Sequence, residues 1–314
     1  MINLSYNISA DLKEALAEVE SLRAATLLSV ISPKIELQIR WETMLDRIFC
    51  SLNLAGNTLT KLQMEKIIIN PPKTMTTEEK EVIKYKNVID YISQNWLAES
   101  KAVTAKTLIT LHDLYSSGKL RSSETDLKEF FNYLQVKPEH PIIQAAVGLV
   151  QISAMAPFSH ANGITGRLLA YLLLYKYGYD FRKMLILEKN WQSQPEFFRD
   201  NLQKSIEKGN LTLFLEYFTQ SVIIQLKEQL SLLKTDFGLG KRPAVPASEF
   251  LNLDERQKAI LNYLEQPETD ITNRKVQKLF KVSQITASRD LAKLVKLGLV
   301  FSHGKGRSVY YTKV

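Results

Sequence analysis

The chain has 314 residues, of which 45% are hydrophobic and 24% charged, with 12 glycines and 10 prolines. This balance is typical of a globular protein and excludes a disordered or collagen-like chain. At about 150 residues per domain, the length predicts about two domains. The single cysteine, Cys50, excludes an intrachain disulfide. No stretch resembles an export signal or a membrane span, so we expect a cytoplasmic protein without a membrane partner.

The net charge of +8 is concentrated at one end of the chain. Residues 271–314 contain ten Lys or Arg and one acid, Asp290, a net of +9. The other 270 residues carry 31 bases and 32 acids, a net of −1. Clustered positive charge attracts polyanions, of which nucleic acid is the commonest. The charge pattern predicts a nucleic-acid-binding module, with a merely solvated basic face as the alternative.

The apolar spacing predicts a mostly α-helical first domain over residues 1–235. Within it, a helix is predicted over residues 78–96, with Thr77 at its start. Two glycines and two prolines interrupt the pattern after Thr235, which predicts a linker over residues 236–248. One aromatic cluster has helical spacing and is predicted to lie in the core: Phe197, Phe198, Phe214, Tyr217 and Phe218.

The remaining residues, 249–314, predict three short helices and a hairpin. The helices are expected over 253–265, over 273–280 and from a cap at Ser283 onward. The hairpin is expected to pair residues 299–301 with 308–311 through a turn at 303–307. One side of the third helix is predicted to face the core, with Ala287, Leu291, Leu294 and Gly298.

This order of elements resembles a winged helix-turn-helix domain. The resemblance implies that the third helix enters the major groove of double-stranded DNA and that the hairpin, or wing, touches its backbone. Winged helices that bind only proteins are the alternative. The candidate DNA contacts are Arg289 and Lys293 as base readers, Lys296, Lys305 and Arg307 as phosphate contacts, and Thr286 and Ser288 on the same helix.

The most specific pattern is Met-Ala-Pro-Phe-Ser-His-Ala-Asn-Gly-Ile-Thr-Gly-Arg-Leu-Leu at residues 155–169. It resembles the loop of the Fic (Fido) family, His-Pro-Phe-x-Asp/Glu-Gly-Asn-Gly-Arg-x-x-Arg followed by an apolar helix. The resemblance spans about residues 20–230 and implies an all-helical Fic fold with its core at about 80–190. The matching residues are Pro157, Phe158, Asn162, Gly163, Thr165, Gly166 and Arg167.

A Gly/Asn turn before a helix exposes backbone N–H groups at the positive end of the helix dipole, which favours a phosphate. Pro157 and Phe158 are expected to anchor the loop. If nucleotide binding is retained, the ligand would be an adenine nucleotide, with ATP and Mg²⁺. The candidate phosphate-binding residues are Asn162, Gly163, Thr165, Gly166 and Arg167.

Three positions depart from the family pattern. Ala156 stands at the position of the catalytic His, His160 at that of the carboxylate that holds Mg²⁺, and Ile164 at that of the first Arg. A methyl group cannot act as a base, and neutral imidazole is a poor ligand for a hard cation. Losing general-base assistance typically costs about 10²–10⁴ in rate. The sequence therefore predicts no catalytic residue and no metal ligand in this loop.

Two flanking segments also depart from active relatives. Active members carry a β-hairpin flap that aligns the protein target, whereas residues 122–139 are short here and predict a helix over 126–134. A segment at about 45–60 resembles the family's inhibitory helix, but Ala55 replaces the Glu that would reach Arg167. The residues that match this helix are Ser51, Ala55, Gly56 and Asn57.

Two functions follow from these patterns. The first is a DNA-binding regulator whose Fic-like domain has lost transferase chemistry and senses a ligand or forms a homodimer. The alternative is an active protein adenylyltransferase that moves AMP from ATP to a hydroxyl of a protein target, with the winged helix used for targeting. Ala156, His160 and Ile164 favour the first.

Overall fold

The computed structural model describes residues 5–29, 31, 33–136, 139–234, 253–264, 269–296, 299–304 and 309–313. The chain divides into two compact units, Met1–Asp236 and Phe237–Val314. The predicted linker, 236–248, lies outside the described residues, so its boundaries stay a prediction.

The described part of the first unit is built from helices, as the sequence predicts. Isolated bridges, Ser5 with Asn210 and Leu120 with Phe158, are the strand-like pairings found among its described residues. The helices are α1 Ala10–Leu28, α2 Pro33–Leu54, α3 Lys61–Ile69, α4 Thr77–Asn95, α5 Ala105–Tyr115, α6 Glu124–Val136, α7 Pro141–Met155, α8 Asn162–Lys176, α9 Leu187–Ser193, α10 Pro195–Lys208 and α11 Thr212–Lys234.

Polar caps decide where two of these helices begin. α4 starts one residue earlier than predicted, because Thr76 is the N-cap and forms a capping box with Glu79. His140 caps α7 by accepting the N–H of Ile142, and Pro141 occupies the first helical position, where its missing N–H costs nothing. The predicted helix at 126–134 is present and forms the middle of α6.

The core is centred on α7 and α8, whose residues 142–152 and 164–175 are all buried. Small residues let these helices approach closely. A Cβ at Gly166 would lie 3.2 Å from the carbonyl oxygen of Leu149, tighter than ordinary contact. The antiparallel pair therefore holds the 156–161 loop at one end as a short, fixed connection.

Of the five residues in the predicted aromatic core cluster, three are buried, Tyr217 is half-buried and one is exposed. Phe198, Phe214 and Phe218 are buried, whereas Phe197 is 52% exposed. Consecutive residues on a helix point about 100° apart, so α10 cannot direct both Phe197 and Phe198 inward. Phe197 instead packs edge-on against Tyr217, with ring centroids 5.4 Å apart.

The second unit has the predicted winged-helix order with one additional strand. The helix predicted over 273–280 is confirmed at both ends. A short strand before it, which the sequence pattern did not indicate, pairs with the last strand to give an antiparallel sheet of order β1-β3-β2. The elements are α12 Glu255–Tyr263, β1 Ile271–Thr272, α13 Asn273–Phe280, α14 Gln284–Lys296, β2 Val300–His303 and β3 Tyr310–Lys313.

The two strands of the hairpin begin one and two residues later than predicted, and both end two residues later. Val300 pairs with Lys313 and His303 pairs with Tyr310, so His303 belongs to the strand and not to the turn. Its imidazole stacks on the Tyr310 ring, with centroids 4.9 Å apart, and this cross-strand pair extends the ladder. Residues 305–308 lie outside the described part of the chain.

The predicted inward side of α14 is confirmed where the structure describes it. Ala287, Leu291 and Leu294 are fully buried, and Gly298 lies outside the described residues. Of the helices in the described residues, none is long and apolar enough to cross a bilayer.

Candidate functional site

The loop between α7 and α8 begins with an exposed methyl group. α7 ends at Met155, and Ala156 is its C-cap, in the left-handed conformation with φ 42° and ψ 57°. The residue is exposed. The position that carries the catalytic His in the Fic pattern therefore presents to solvent a side chain that can neither take nor give a proton.

His160 is the imidazole nearest in sequence to this position, and its ring is already engaged. Its Nε2 lies 2.8 Å from the hydroxyl of Ser116, and its Nδ1 lies 3.0 Å from the hydroxyl of Ser159. Both ring nitrogens thus take part in hydrogen bonds that hold the loop.

The donor set of the loop does not fit Mg²⁺. A hard cation prefers carboxylate, carbonyl and water oxygens, and the loop places an imidazole where the Fic pattern has a carboxylate. In the described parts of the chain, no group of three or more His, Cys, Asp or Glu side chains is arranged to hold a metal ion. The imidazole of His160 is therefore a poor ligand for a magnesium ion in this loop.

Asn162 fastens the loop onto itself. Its Oδ1 accepts the N–H of Phe158 at 2.9 Å, and its Nδ2 donates to the carbonyl oxygen of the same residue at 2.8 Å. The predicted phosphate-binding residue therefore uses its side chain for loop shape, which leaves backbone N–H groups as its contribution to an anion site.

Phe158, the expected loop anchor, packs in the core against a histidine to which the sequence analysis gave no role. The ring is buried and stacks on His112 of α5 with centroids 3.6 Å apart and planes 2° apart. The same His112 ring also contacts α8, through a hydrogen bond of 3.0 Å between its Nδ1 and the hydroxyl of Thr165. Burial lowers the pKa of His112, which favours the neutral ring in this position.

The connection between α5 and α6 runs alongside the loop. Leu120 pairs with Phe158 in an antiparallel bridge, and the N–H of Arg121 donates to the Pro157 carbonyl at 2.7 Å. On the other side of the bridge, the N–H of Ser159 donates to the Lys119 carbonyl at 2.9 Å. Residues 119–121 therefore hold Pro157 and Phe158 in place with backbone hydrogen bonds.

The N-terminus of α8 has no side-chain cap. Its N-cap is Ala161, in the left-handed conformation with φ 60°, and an Ala side chain offers no oxygen to the first-turn amides. Gly163 is exposed, whereas Thr165 and Gly166 are buried and are used in packing. The part of the predicted phosphate site that faces solvent is thus limited to the first turn.

Arg167 is bound by α2. Its Nε donates to the Ser51 hydroxyl at 2.9 Å and its Nη2 to the Ser51 carbonyl at 2.7 Å. The side chain is only 6% exposed, and burial lowers its pKa. The carbonyl belongs to the last turn of α2, where unpaired carbonyl oxygens give the helix its negative end and favour a cation.

The segment that resembles the inhibitory helix is the end of α2 and the turn that follows it. Gly56 has φ 96°, and the N–H groups of Gly56 and Asn57 donate to the carbonyls of Asn53 and Leu52, which is a Schellman C-cap. The Asn57 amide also donates to Glu81 of α4 at 2.8 Å. Sequence reasoning located this segment but missed that Ser51, and not position 55, contacts the arginine.

In the second unit, Asp290, the one acid among residues 271–314, is turned inward. Asp290 is 3% exposed and accepts hydrogen bonds from Arg256 Nε at 2.6 Å and from Gln257 Nε2 at 2.9 Å. Burial raises the pKa of Asp290, but the hydrogen bonds from Arg256 and Gln257 outweigh it and the net shift is downward. The outer face of α14 is therefore free of negative charge, and Arg289 is exposed on it.

Asn273 of α13 sets the position of α14. Its Nδ2 donates to the Ser288 hydroxyl at 2.7 Å and to the Gln284 carbonyl at 3.2 Å. Thr286 lies in the first turn with its hydroxyl 3.0 Å from that of Ser283, the predicted cap, whose oxygen also accepts the Thr286 N–H. Among the other predicted contacts, Lys293 is half-buried, while the side chains of Lys296, Lys305 and Arg307 lie outside the described residues.

Comparison with known proteins agrees with this geometry. Residues 103–174 match the Fic/DOC family, and residues 256–312 match the DeoR-like helix-turn-helix domain. The chain therefore contains a Fic/DOC domain followed by a DeoR-like helix-turn-helix domain.

Particular relatives extend the comparison. The protein adenylyltransferase Fic of Nematostella vectensis is 26% identical over 167 residues, which cover 44% of this chain and 39% of the relative. The chain thus spans about two-fifths of the length of that curated relative. A Fic family protein from Desulfovibrio desulfuricans G20 superposes over 98% of this chain and 97% of its own, with a TM-score of 0.60 and 15% identity. Fic-1 from C. elegans gives a TM-score of 0.61 at 19% identity over 72% of this chain and 73% of its own. At these identities the two structures establish the fold.

Proposed function

We propose that this protein is a DNA-binding regulator in which the Fic domain no longer transfers AMP. The observation that carries the first part of the proposal is the exposed methyl group of Ala156 at the place of the catalytic base. The observation that supports the second part is the outer face of α14, which carries Arg289 and no acid.

Three independent losses support the absence of transfer. Ala156 removes the group that would take the proton from the attacking hydroxyl, a loss of about 10²–10⁴ in rate. Ile164 is buried and cannot bind phosphate, and Arg167 is held by Ser51. Electrostatic stabilisation of the transferring group is therefore lost as well.

The His160 ring supports the same conclusion. An imidazole that serves as a surrogate base needs a free nitrogen within reach of the attacking hydroxyl. Both of its nitrogens are within 3.0 Å of serine hydroxyls that belong to the loop and to the end of α5.

Transfer is tested with the purified full chain, ATP labelled on the α-phosphate, Mg²⁺ and a cell lysate. We expect no label on the protein itself and none on lysate proteins. Robust labelling would contradict the proposal, and a His160→Ala variant would then show whether this imidazole acts as the base.

DNA binding is tested by titrating the full chain into random-sequence duplex at several salt concentrations. We expect affinity to fall steeply with salt, because lysines and arginines release counterions from the phosphates. A preferred binding site is then selected from the random duplex. Arg289→Ala should weaken binding to that site by about 5- to 150-fold, the range for one lost base contact. Lys204→Ala, which removes an exposed positive charge from α10 of the first unit, is the matched control and should leave affinity unchanged. Equal affinity of both variants and the unchanged protein would reject the assignment of this face.

An active adenylyltransferase is the second candidate. It is favoured by the relative from Nematostella vectensis, whose name states that activity. The labelling experiment separates the two candidates, since only the second requires AMP on a protein hydroxyl. Binding of an adenine nucleotide without transfer stays a separate prediction, which calorimetric titration with ATP tests directly.

A further inference from the structure

A large aliphatic side chain stands on the outer face of α14. Ile285, in the first turn of the helix, is 72% exposed, whereas Leu291 and Leu294 of the same helix are fully buried. Burying an isoleucine contributes roughly 1.5–3 kcal/mol, and this residue contributes only a small part of it to the domain. Its apolar surface is thus available to a partner.

The neighbours of Ile285 indicate the kind of partner. Ser288, Arg289 and Ala292 lie three, four and seven positions further along, so they share its side of the helix, and all three are exposed. A face that combines one aliphatic group, one arginine and one hydroxyl matches the edges of base pairs in the major groove. The major groove offers acceptors on guanine and a methyl group on thymine.

We propose that Ile285 is a specificity-determining residue that contacts the C5-methyl group of a thymine in the DNA site. This inference rests on the proposed DNA binding. Residues at the N-terminal end of a recognition helix are those that reach base edges, and Ile285 lies in the first turn of α14. Asn273 holds this turn through the Gln284 carbonyl and the Ser288 hydroxyl, so the backbone that carries Ile285 is already positioned.

The spacing of the helix predicts where the thymine lies. Ile285 and Arg289 are four residues apart, which is about 6 Å along the helix axis. Base pairs rise about 3.4 Å each, so the thymine should lie within about two base pairs of a guanine bound by Arg289.

The experiment uses the full chain and a site obtained by selection from random duplex. Each thymine of that site is replaced in turn by deoxyuridine, which lacks only the methyl group, and affinity is measured at one salt concentration. We expect one thymine at which the replacement weakens binding about fourfold, the factor that corresponds to one buried methyl group. That thymine should lie near a guanine whose replacement by 7-deazaguanine weakens the unchanged protein but not Arg289→Ala.

Variants then assign the effect to the side chain. Ile285→Ala should lose affinity for the thymine site and become insensitive to deoxyuridine at that position only. Ile285→Val should keep the sensitivity. Leu213→Ala truncates an aliphatic residue of the first unit that is 67% exposed. It should leave the affinity, and the effect of every deoxyuridine replacement (the deoxyuridine profile), unchanged. Alanine favours helix, so Ile285→Ala is expected to fold.

The outcomes separate the inference from the proposed function. Binding to duplex with no thymine sensitive to deoxyuridine would overturn the inference alone. The same holds if Ile285→Ala keeps the profile of the unchanged protein. If the selection returns no duplex, the proposed DNA binding fails and the inference fails with it.

Discussion

The guanidinium of Arg167 is bonded twice to one residue, Ser51, through the hydroxyl and the carbonyl oxygen. This contact joins the helix that follows the Fic loop to the end of α2, the segment that resembles the family's inhibitory helix. Ala55 has no carboxylate, and Ser51, one turn earlier, accepts the hydrogen bonds of Arg167 instead. The Fic loop of this protein is therefore tied to its neighbouring helix without a Glu.

The first prediction concerns that contact. Ser51→Ala leaves a buried N–H of Arg167 without its acceptor, and we expect the free energy of unfolding to fall by about 1.5–3 kcal/mol. Urea denaturation followed by tryptophan fluorescence measures it. Ser193→Ala, at an exposed serine at the end of α9, should change it by less than about 0.5 kcal/mol. Equal midpoints for the two variants would show that the Ser51 hydroxyl contributes nothing.

The second prediction concerns the buried ion pair between Arg47 and Asp180, 2.7 Å apart and 3% and 0% exposed. Burial raises the pKa of Asp180, and the charge of Arg47 opposes that shift. Asp180→Asn removes the counter-charge and should cost about 3–5 kcal/mol. Asp200→Asn removes one partner of an exposed pair and should cost at most about 1 kcal/mol. Chemical denaturation measures the free energy of unfolding of both variants. Similar losses would show that the buried pair of Arg47 and Asp180 matters no more to stability than the exposed pair.

The third prediction compares two glycines. A Cβ added at Gly56 would meet no atom within 4 Å, but the residue has φ 96°. Gly56→Ala is therefore penalised by backbone conformation alone, by about 1–2 kcal/mol. Gly163 lies in the first turn of α8, where a Cβ would meet only Arg167 Nη1 at 3.6 Å, so Gly163→Ala should be neutral or stabilising by up to about 1 kcal/mol. Thermal unfolding should show a lower Tm for Gly56→Ala and an unchanged or higher Tm for Gly163→Ala.

The fourth prediction concerns pH. Burial lowers the pKa of His112 below its ordinary value of 6.5, so the unfolded chain binds a proton more readily than the folded one. The free energy of unfolding should accordingly be highest above about pH 6.5 and fall as the pH drops toward the lowered pKa. His140, whose pKa burial also lowers, adds to the same trend.

The variant His112→Gln isolates the part that belongs to His112. We expect it to reduce the loss of stability between about pH 7.5 and pH 5.5, whatever its effect at pH 7.5. Urea denaturation at the two pH values gives the comparison. An identical loss in the variant and the unchanged protein would remove His112 as a source of acid sensitivity.

Much of the architecture follows from the sequence because it depends on local signals. Apolar spacing predicted a mostly helical first domain, and Ser283 and the 273–280 segment behave as their residue types require. The matches at Pro157 and Phe158 predicted an anchored loop, and Phe158 is buried. The short strand at Ile271–Thr272 was missed because two residues carry no periodicity, and only its pairing with β3 defines it.

The amino-acid sequence by itself determined which chemical groups the Fic loop has and lacks, since Ala156 and Ile164 have no ionisable atoms in any conformation. It also determined that the excess positive charge lies in the last 44 residues. Tertiary structure decided how the remaining polar groups are used. Arg167 bonds to Ser51, 116 positions away, and Asp290 is neutralised by Arg256 across 34 positions. Such contacts depend on how helices pack, which spacing along one helix does not encode.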